Sequence, residues 1–271
     1  MTYLRICTCA ALGRSHLLRA SALSLLSSLI FLLAVPLIMA ADSTSCETQE
    51  KLLSFGLESD AVSSYVDRGL ELHRGAAMQS CAWGTVGGLT LSAWSNYQVA
   101  SNFRNPRLNE IDLGASYSGE WKKLSYETSV AYFFYPHLID DPNTSEAWVK
   151  VGLMLGNFEP FMVHIVDIKA YSGAYFGRFG VAYGWEPKPS LSIETTASIG
   201  WGSPKFNLVN IGVEKGALQL AEIEIAARYT VRESFYFSPH IAVSTLMDQE
   251  LRDQVDKPSL VKTGIAFGVE F

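Results

Sequence analysis

At 271 residues the chain has room for one large domain, and not comfortably for two once a leader is set aside. Its formal net charge is −6, and removing residues 1–40, which carry Arg5, Arg14 and Arg19 and no acid, leaves 18 bases against 27 acids. No basic run survives, so phosphate-driven nucleic-acid binding has little footing. Aromatic residues at 12% and 21 glycines, with scarce helical periodicity, suit strands joined by turns.

Residues 1–19 hold the three arginines, and residues 20–41 hold no charge. Pro36 and then Leu37-Ile38-Met39-Ala40-Ala41-Asp42 complete the basic, apolar and small-residue sections of a secretory signal peptide. The pattern predicts a Sec-type leader over 1–40, cut after Ala40 or Ala41. An uncleaved anchor helix is the alternative, since roughly 20 apolar residues span a bilayer. Residues 41–60 read as a periplasmic lead-in whose Leu52, Leu53, Phe55 and Leu57 either dock into the following domain or simply precede it.

Cleavage removes Cys7 and Cys9 and leaves Cys46 and Cys81. In an oxidising periplasm these two either pair, tethering the lead-in to the second strand, or stay as thiols. Asp42-Ser43-Thr44-Ser45 before Cys46 is a poor lipoprotein acceptor site.

From residue 61 onward apolar and small or polar residues alternate, which places each set on one face of a strand. In Asn109–Tyr117, Ile111, Leu113, Ala115 and Tyr117 point one way, while Glu110, Asp112, Gly114 and Ser116 point the other. The predicted strands lie near 62–71, 76–83, 89–100, 109–118, 124–135, 145–154, 159–167, 174–184, 190–201, 217–231, 235–245 and 260–271. Most approach the 9–11 residues of a tilted membrane strand, and their number is even. Short connections alternate with longer ones such as Gly202–Gly216 and Leu246–Ser259, as expected of periplasmic turns and outer loops.

A soluble sandwich also alternates, but it fills a dry core with large side chains and turns its charges outward. Here the polar face is rich in Gly, Ser, Thr and acids, while the apolar face ends in Tyr132, Phe134, Tyr183, Trp201, Phe235 and Phe237, an interfacial girdle. Lipid tolerates no open sheet edge, so the expectation is an all-β, antiparallel transmembrane barrel of about 12 strands over 61–271, with both mature termini in the periplasm. Its outer face meets outer-membrane lipid. Phe271, with Phe267 and Val269 at alternate positions before it, resembles the terminal signal read by the barrel assembly machinery during biogenesis.

Short motifs carry a family resemblance. They are Arg68-Gly69 within Ser64–Leu70, Asn109-Glu110-Ile111-Asp112-Leu113, Ser116-Tyr117-Ser118, Leu124-Ser125-Tyr126, Tyr132 to Pro136, and Glu146-Ala147-Trp148-Val149. Together they resemble the TorF-type porin family, best over 62–155, with Asp67 and Trp148 departing from it. The resemblance implies a barrel over about 61–271 and a porin role, with no substrate to carry over.

The predicted lumen face holds Glu110, Asp112, Glu127, Glu146, Glu194, Glu222, Glu224 and Glu270 against Lys150, Arg178, Arg228 and Lys262. An open lumen of that composition favours cations or neutral polar solutes. Alternatively the same groups pair and brace a closed barrel, for twelve strands fall between a filled eight-strand barrel and a wide channel. A third reading is a hydrolase using Ser238 and His240, which share the inward face without an assignable orienting group. His164 is read as inward too. Asp140-Asp141 with Asn143 lacks the glycine and spaced ligands of a calcium loop. No metal site, cofactor motif or energy-coupling motif is expected, and the oligomeric state is not legible.

Overall fold

The computed structural model describes residues 53–99, 107–136, 142–232 and 234–271. Their elements in chain order are β1 (Leu53–Val62), β2 (Tyr65–Asp67), β3 (Leu70–His73), β4 (Ala77–Val86), β5 (Leu89–Gln98), β6 (Arg107–Trp121), β7 (Leu124–Phe134), β8 (Thr144–Leu153), β9 (Phe158–Asp167), β10 (Tyr175–Lys188), β11 (Leu191–Gly202), α1 (Pro204–Ile211), β12 (Ala217–Thr230), β13 (Phe235–Leu246), α2 (Gln249–Arg252) and β14 (Ser259–Glu270). β1 and β4 to β14 form one closed antiparallel barrel of twelve strands, and β2 pairs only with β3. No helix of the described residues is long and apolar enough to cross a membrane; the strands do the crossing.

Closure is made by β1 against β14, with Leu57 opposite Val269 and Ala61 opposite Ile265. The backbones of Phe55 and Phe271 exchange two further hydrogen bonds, 3.2 and 2.9 Å long. Every edge of the barrel sheet is therefore paired, as hydrocarbon demands of a spanning sheet.

Strand parity separates the faces. Outward lie Leu91, Leu113, Val130, Val149, Phe179, Ile223, Ile241, Val243 and Val261, all exposed; they are the side chains a lipid phase would cover. Inward glycines make room for large inward neighbours. A Cβ on Gly264, for example, would stand 2.3 Å from Nε2 of His240.

The end bearing β1's start and β14's finish has tight turns. Gly87 and Gly88 supply positive φ angles of 53° and 86° between β4 and β5, the mirror-image geometry that suits a two-residue hairpin. Short turns at this end match the rule for periplasmic connections. The other end carries the longer connections, two of which contain α1 and α2.

One predicted boundary is corrected. The first barrel strand is Leu53–Val62, not 62–71, so part of the expected lead-in 41–60 belongs to the wall. Leu53, Phe55 and Leu57 stand on its outward face, each more than half exposed. The predicted leader, its cleavage site and Cys46 lie outside the described residues, as do Asp140 and Asp141.

Candidate functional site: an acid-rich lumen crossed by a hairpin

The segment taken for a first strand is a hairpin folded into the barrel. β2 and β3 are joined by Arg68 and Gly69, whose φ angles of +47° and +79° make a left-handed two-residue turn. The hairpin starts beside the β1–β14 seam and crosses to the far wall. Its Tyr65 hydroxyl donates to Glu110 Oε2 on β6 at 3.0 Å, and its ring packs with Cys81, Trp83 and Trp94.

At the hairpin's tip, Arg68 Nη2 donates to Glu146 Oε2 on β8 at 2.6 Å, with both side chains at most 4% exposed. The same guanidinium lies 5.5 Å from the ring centroid of Phe176 on β10 and 5.0 Å from that of Phe206 on α1. Gln219 Nε2 reaches the Arg68 carbonyl at 3.4 Å. Removing one member of so buried an ion pair costs about 3–5 kcal/mol, because the survivor stays charged without water.

The helix carrying Phe206 is locally determined. Ser203 caps it, accepting from Phe206 N at 3.1 Å; Pro204 fills the first turn, where no N–H is needed; and Gly212 ends it at φ 87°. The cap also binds the wall, for Ser203 Oγ accepts from Tyr175 N at 3.0 Å. Phe206 is thereby pressed onto Phe176, with centroids 5.2 Å apart, and joins Ile165, Ala174 and Leu220 in an apolar pad beneath Arg68.

Below the hairpin, toward the short-turn end, the wall is polar. Arg178 Nη2 donates to Glu222 Oε1 at 2.6 Å, and its Nε donates to Ser198 Oγ at 2.8 Å. Arg228 Nη2 donates to Glu270 Oε2 at 2.9 Å and covers the Tyr236 ring at 3.6 Å. Lys150 Nζ stands 3.4 Å from Glu159 Oε1, with Glu127 as its register partner on β7. His240 Nε2 meets both oxygens of Asp60, at 3.0 and 3.1 Å, and its Nδ1 lies 3.9 Å from Glu224.

Strand register places Glu110, Asp112, Glu127, Glu146, Lys150, Arg178, Glu194, Glu222, Glu224, Arg228 and Lys262 on the inward face. It divides them by height. Glu110, Asp112, Glu146 and Lys262 are buried around the hairpin, and the others lie nearer the short-turn mouth. Inward acids not foreseen in this role are Glu58, Asp60, Glu159 and Asp167. The first two sat in the supposed lead-in; Glu159 and Asp167 sat at the ends of the predicted 159–167 strand.

Two readings are corrected. His164 faces outward, where its Nδ1 meets the Tyr175 hydroxyl at 2.7 Å. His240 does have an orienting acid, Asp60, and no hydrogen bond joins Ser238 to His240 among the described residues. Cys81 is disulfide-bonded, and the other three cysteines lie outside the described residues.

This geometry defines a class: a closed twelve-strand transmembrane barrel whose lumen is lined by acids and crossed by its first long connection. No family model matches the chain, and no curated protein does. Among solved structures it is similar to the NanC porin, with a TM-score of 0.50 and 12% identity over 79% of this chain and 98% of that one. The KdgM porin gives 0.47 and 10% over 80% and 98%. The translocator domain of the autotransporter NalP from Neisseria meningitidis gives 0.41 and 10% over 83% and 90%. The likeness to the NanC porin, at 12% identity, shows the fold alone. The TorF-type resemblance narrows accordingly to a porin-like barrel, and its Arg68-Gly69 match lies in the lumen hairpin rather than in a wall strand.

Proposed function

We propose that this chain is a porin-like channel of the bacterial outer membrane that passes small cationic or neutral polar solutes by passive diffusion. The observation that carries the reading is the composition of the inward wall near the periplasmic mouth. Three of its bases, Lys150, Arg178 and Arg228, are each paired with an acid, while Glu127 and Glu194 add further acids to the same wall. A narrow path between low-dielectric walls of one sign concentrates counter-ions and repels ions of like charge. The apolar outer belt supports a bilayer setting, and the fold shared with the NanC porin fits this use of the lumen.

The test is single-channel conductance of the purified protein in planar bilayers under asymmetric KCl. The expected result is discrete steps with a reversal potential on the potassium side. Changing Glu222 and Glu224 together to Gln releases Arg178 and should move that potential toward zero. Well-folded protein that gives no steps sinks the channel reading.

The second reading, a closed surface barrel, draws on the hairpin and α1 filling the loop-side half. In that case the connections around α1 and α2 become the working surface, and the outcome without steps selects it.

A further inference from the structure

We propose that Glu146, Phe176 and Phe206 form a binding site for guanidinium-bearing solutes, and that the hairpin's own Arg68 occupies this site when the channel is shut. The proposal rests on the channel reading and names the solute class that such a channel would select. Guanidinium is planar, with in-plane N–H donors and two weakly hydrated faces. A site for it therefore needs a carboxylate at its edge and aromatic rings over its faces. The cage supplies both. Glu146 meets Nη2 at 2.6 Å, and the rings of Phe176 and Phe206 lie 5.5 and 5.0 Å from the guanidinium carbon.

Three features distinguish this from an ordinary structural ion pair. The cation is delivered on a detached two-strand hairpin rather than on the wall, so it can leave without opening the barrel. Its carrier residue holds a positive φ of 47° that a non-glycine residue adopts at a cost. The surroundings are also rich in acids: Asp67 Oδ2 stands 3.7 Å from its Nε, and Glu110 and Asp112 are buried on the neighbouring wall.

A solute arriving from the loop side meets the hairpin here. A guanidinium solute replaces the interactions of Arg68 one for one, and while it sits in the cage the hairpin cannot re-dock. Solute and gate therefore compete for one site. The bound solute shifts the equilibrium toward the open form by its differential affinity for that form.

Calorimetric titration of the detergent-solubilised protein with methylguanidinium chloride tests the site, and bilayer recording tests the channel. Arg68→Ala vacates the cage and should bind methylguanidinium at least about tenfold more tightly than the unaltered protein. Adding Glu146→Gln should lose at least about tenfold of that affinity. Methylammonium, which lacks the plane and the fork, should bind no better to Arg68→Ala than to the unaltered protein. If Arg68→Ala does not fold, Arg68→Gln keeps an amide donor for Glu146 without the charge and takes its place in the comparison.

In bilayers, methylguanidinium at constant chloride should raise the open fraction of the unaltered channel by about threefold or more. Equal affinity with and without Arg68, or binding indifferent to Glu146→Gln, overturns the site even if the barrel conducts. Guanidinium-selective binding to a barrel that never conducts removes the channel reading and leaves the site.

Discussion

Gly69 shows how tightly the hairpin tip is specified. Its φ of +79° suits glycine, and a Cβ there would stand 2.8 Å from Leu220 Cδ1 and 3.3 Å from Leu246 Cδ2. Gly69→Ala should weaken docking by about 1–3 kcal/mol, through backbone strain and contact with two side chains of the wall. The check is a longer open dwell time in bilayers, or faster protease cleavage within 63–76, with the barrel's thermal transition little changed. Asp67 beside it is pushed up to about 7 by burial, against the pull of Arg68 and with Glu146 and Glu110 adding to the rise. The sign follows from the direction of the shift. Docking favours the protonated acid, so it is strongest below the ordinary value near 3.8 and weakens as pH climbs to about 7. The open fraction should be lower at pH 5 than at pH 8, and Asp67→Asn should flatten that difference. None of this was legible beforehand, because Tyr65-Val66-Asp67 and Leu70-Glu71-Leu72 alternate as wall strands do. Period two says that a residue lies in a strand; it does not say which sheet the strand joins.

Among the elements, the wall strands were legible because each must turn one face to lipid and the other to polar contents. Leu124–Phe134 and Ser259–Glu270 declare this without ambiguity. β1 obeys the same rule, with Leu53, Phe55, Leu57, Ser59 and Ala61 outward, but its inward Glu58 and Asp60 made it look like a solvated lead-in. Only pairing with β14 shows that these acids find Tyr236 and His240 inside. At that seam Phe271 stacks on Phe55, with centroids 5.2 Å apart. Phe271→Ala should lower the yield of assembled, heat-modifiable barrel in the outer membrane severalfold while leaving the conductance of the assembled fraction unchanged. Cys81 opens a further test. It faces inward on β4, opposite Glu58. If Cys46 is its partner, non-reduced peptide mapping recovers the two in one crosslinked peptide, and reduction separates them. Recovery of an unpaired Cys46 removes that tether.

At the scale of the whole molecule, the barrel and its apolar outer face follow from composition and alternation, whereas the state of the lumen does not. Twelve strands leave space that side chains alone fill incompletely, and what occupies it here arrives from connections whose inward course no periodicity encodes. Closure has a consequence of its own. The strand that seals the wall, β14, pairs with β1 some two hundred residues earlier, so no shorter stretch of chain contains a finished sheet. A polypeptide that loses Ser259–Glu270 keeps nearly all its local pairings, yet it presents two raw margins, those of β1 and β13. The seam thus works as a length check. A copy interrupted before β14 carries two unpaired strand edges, and only a copy that reaches β14 closes them.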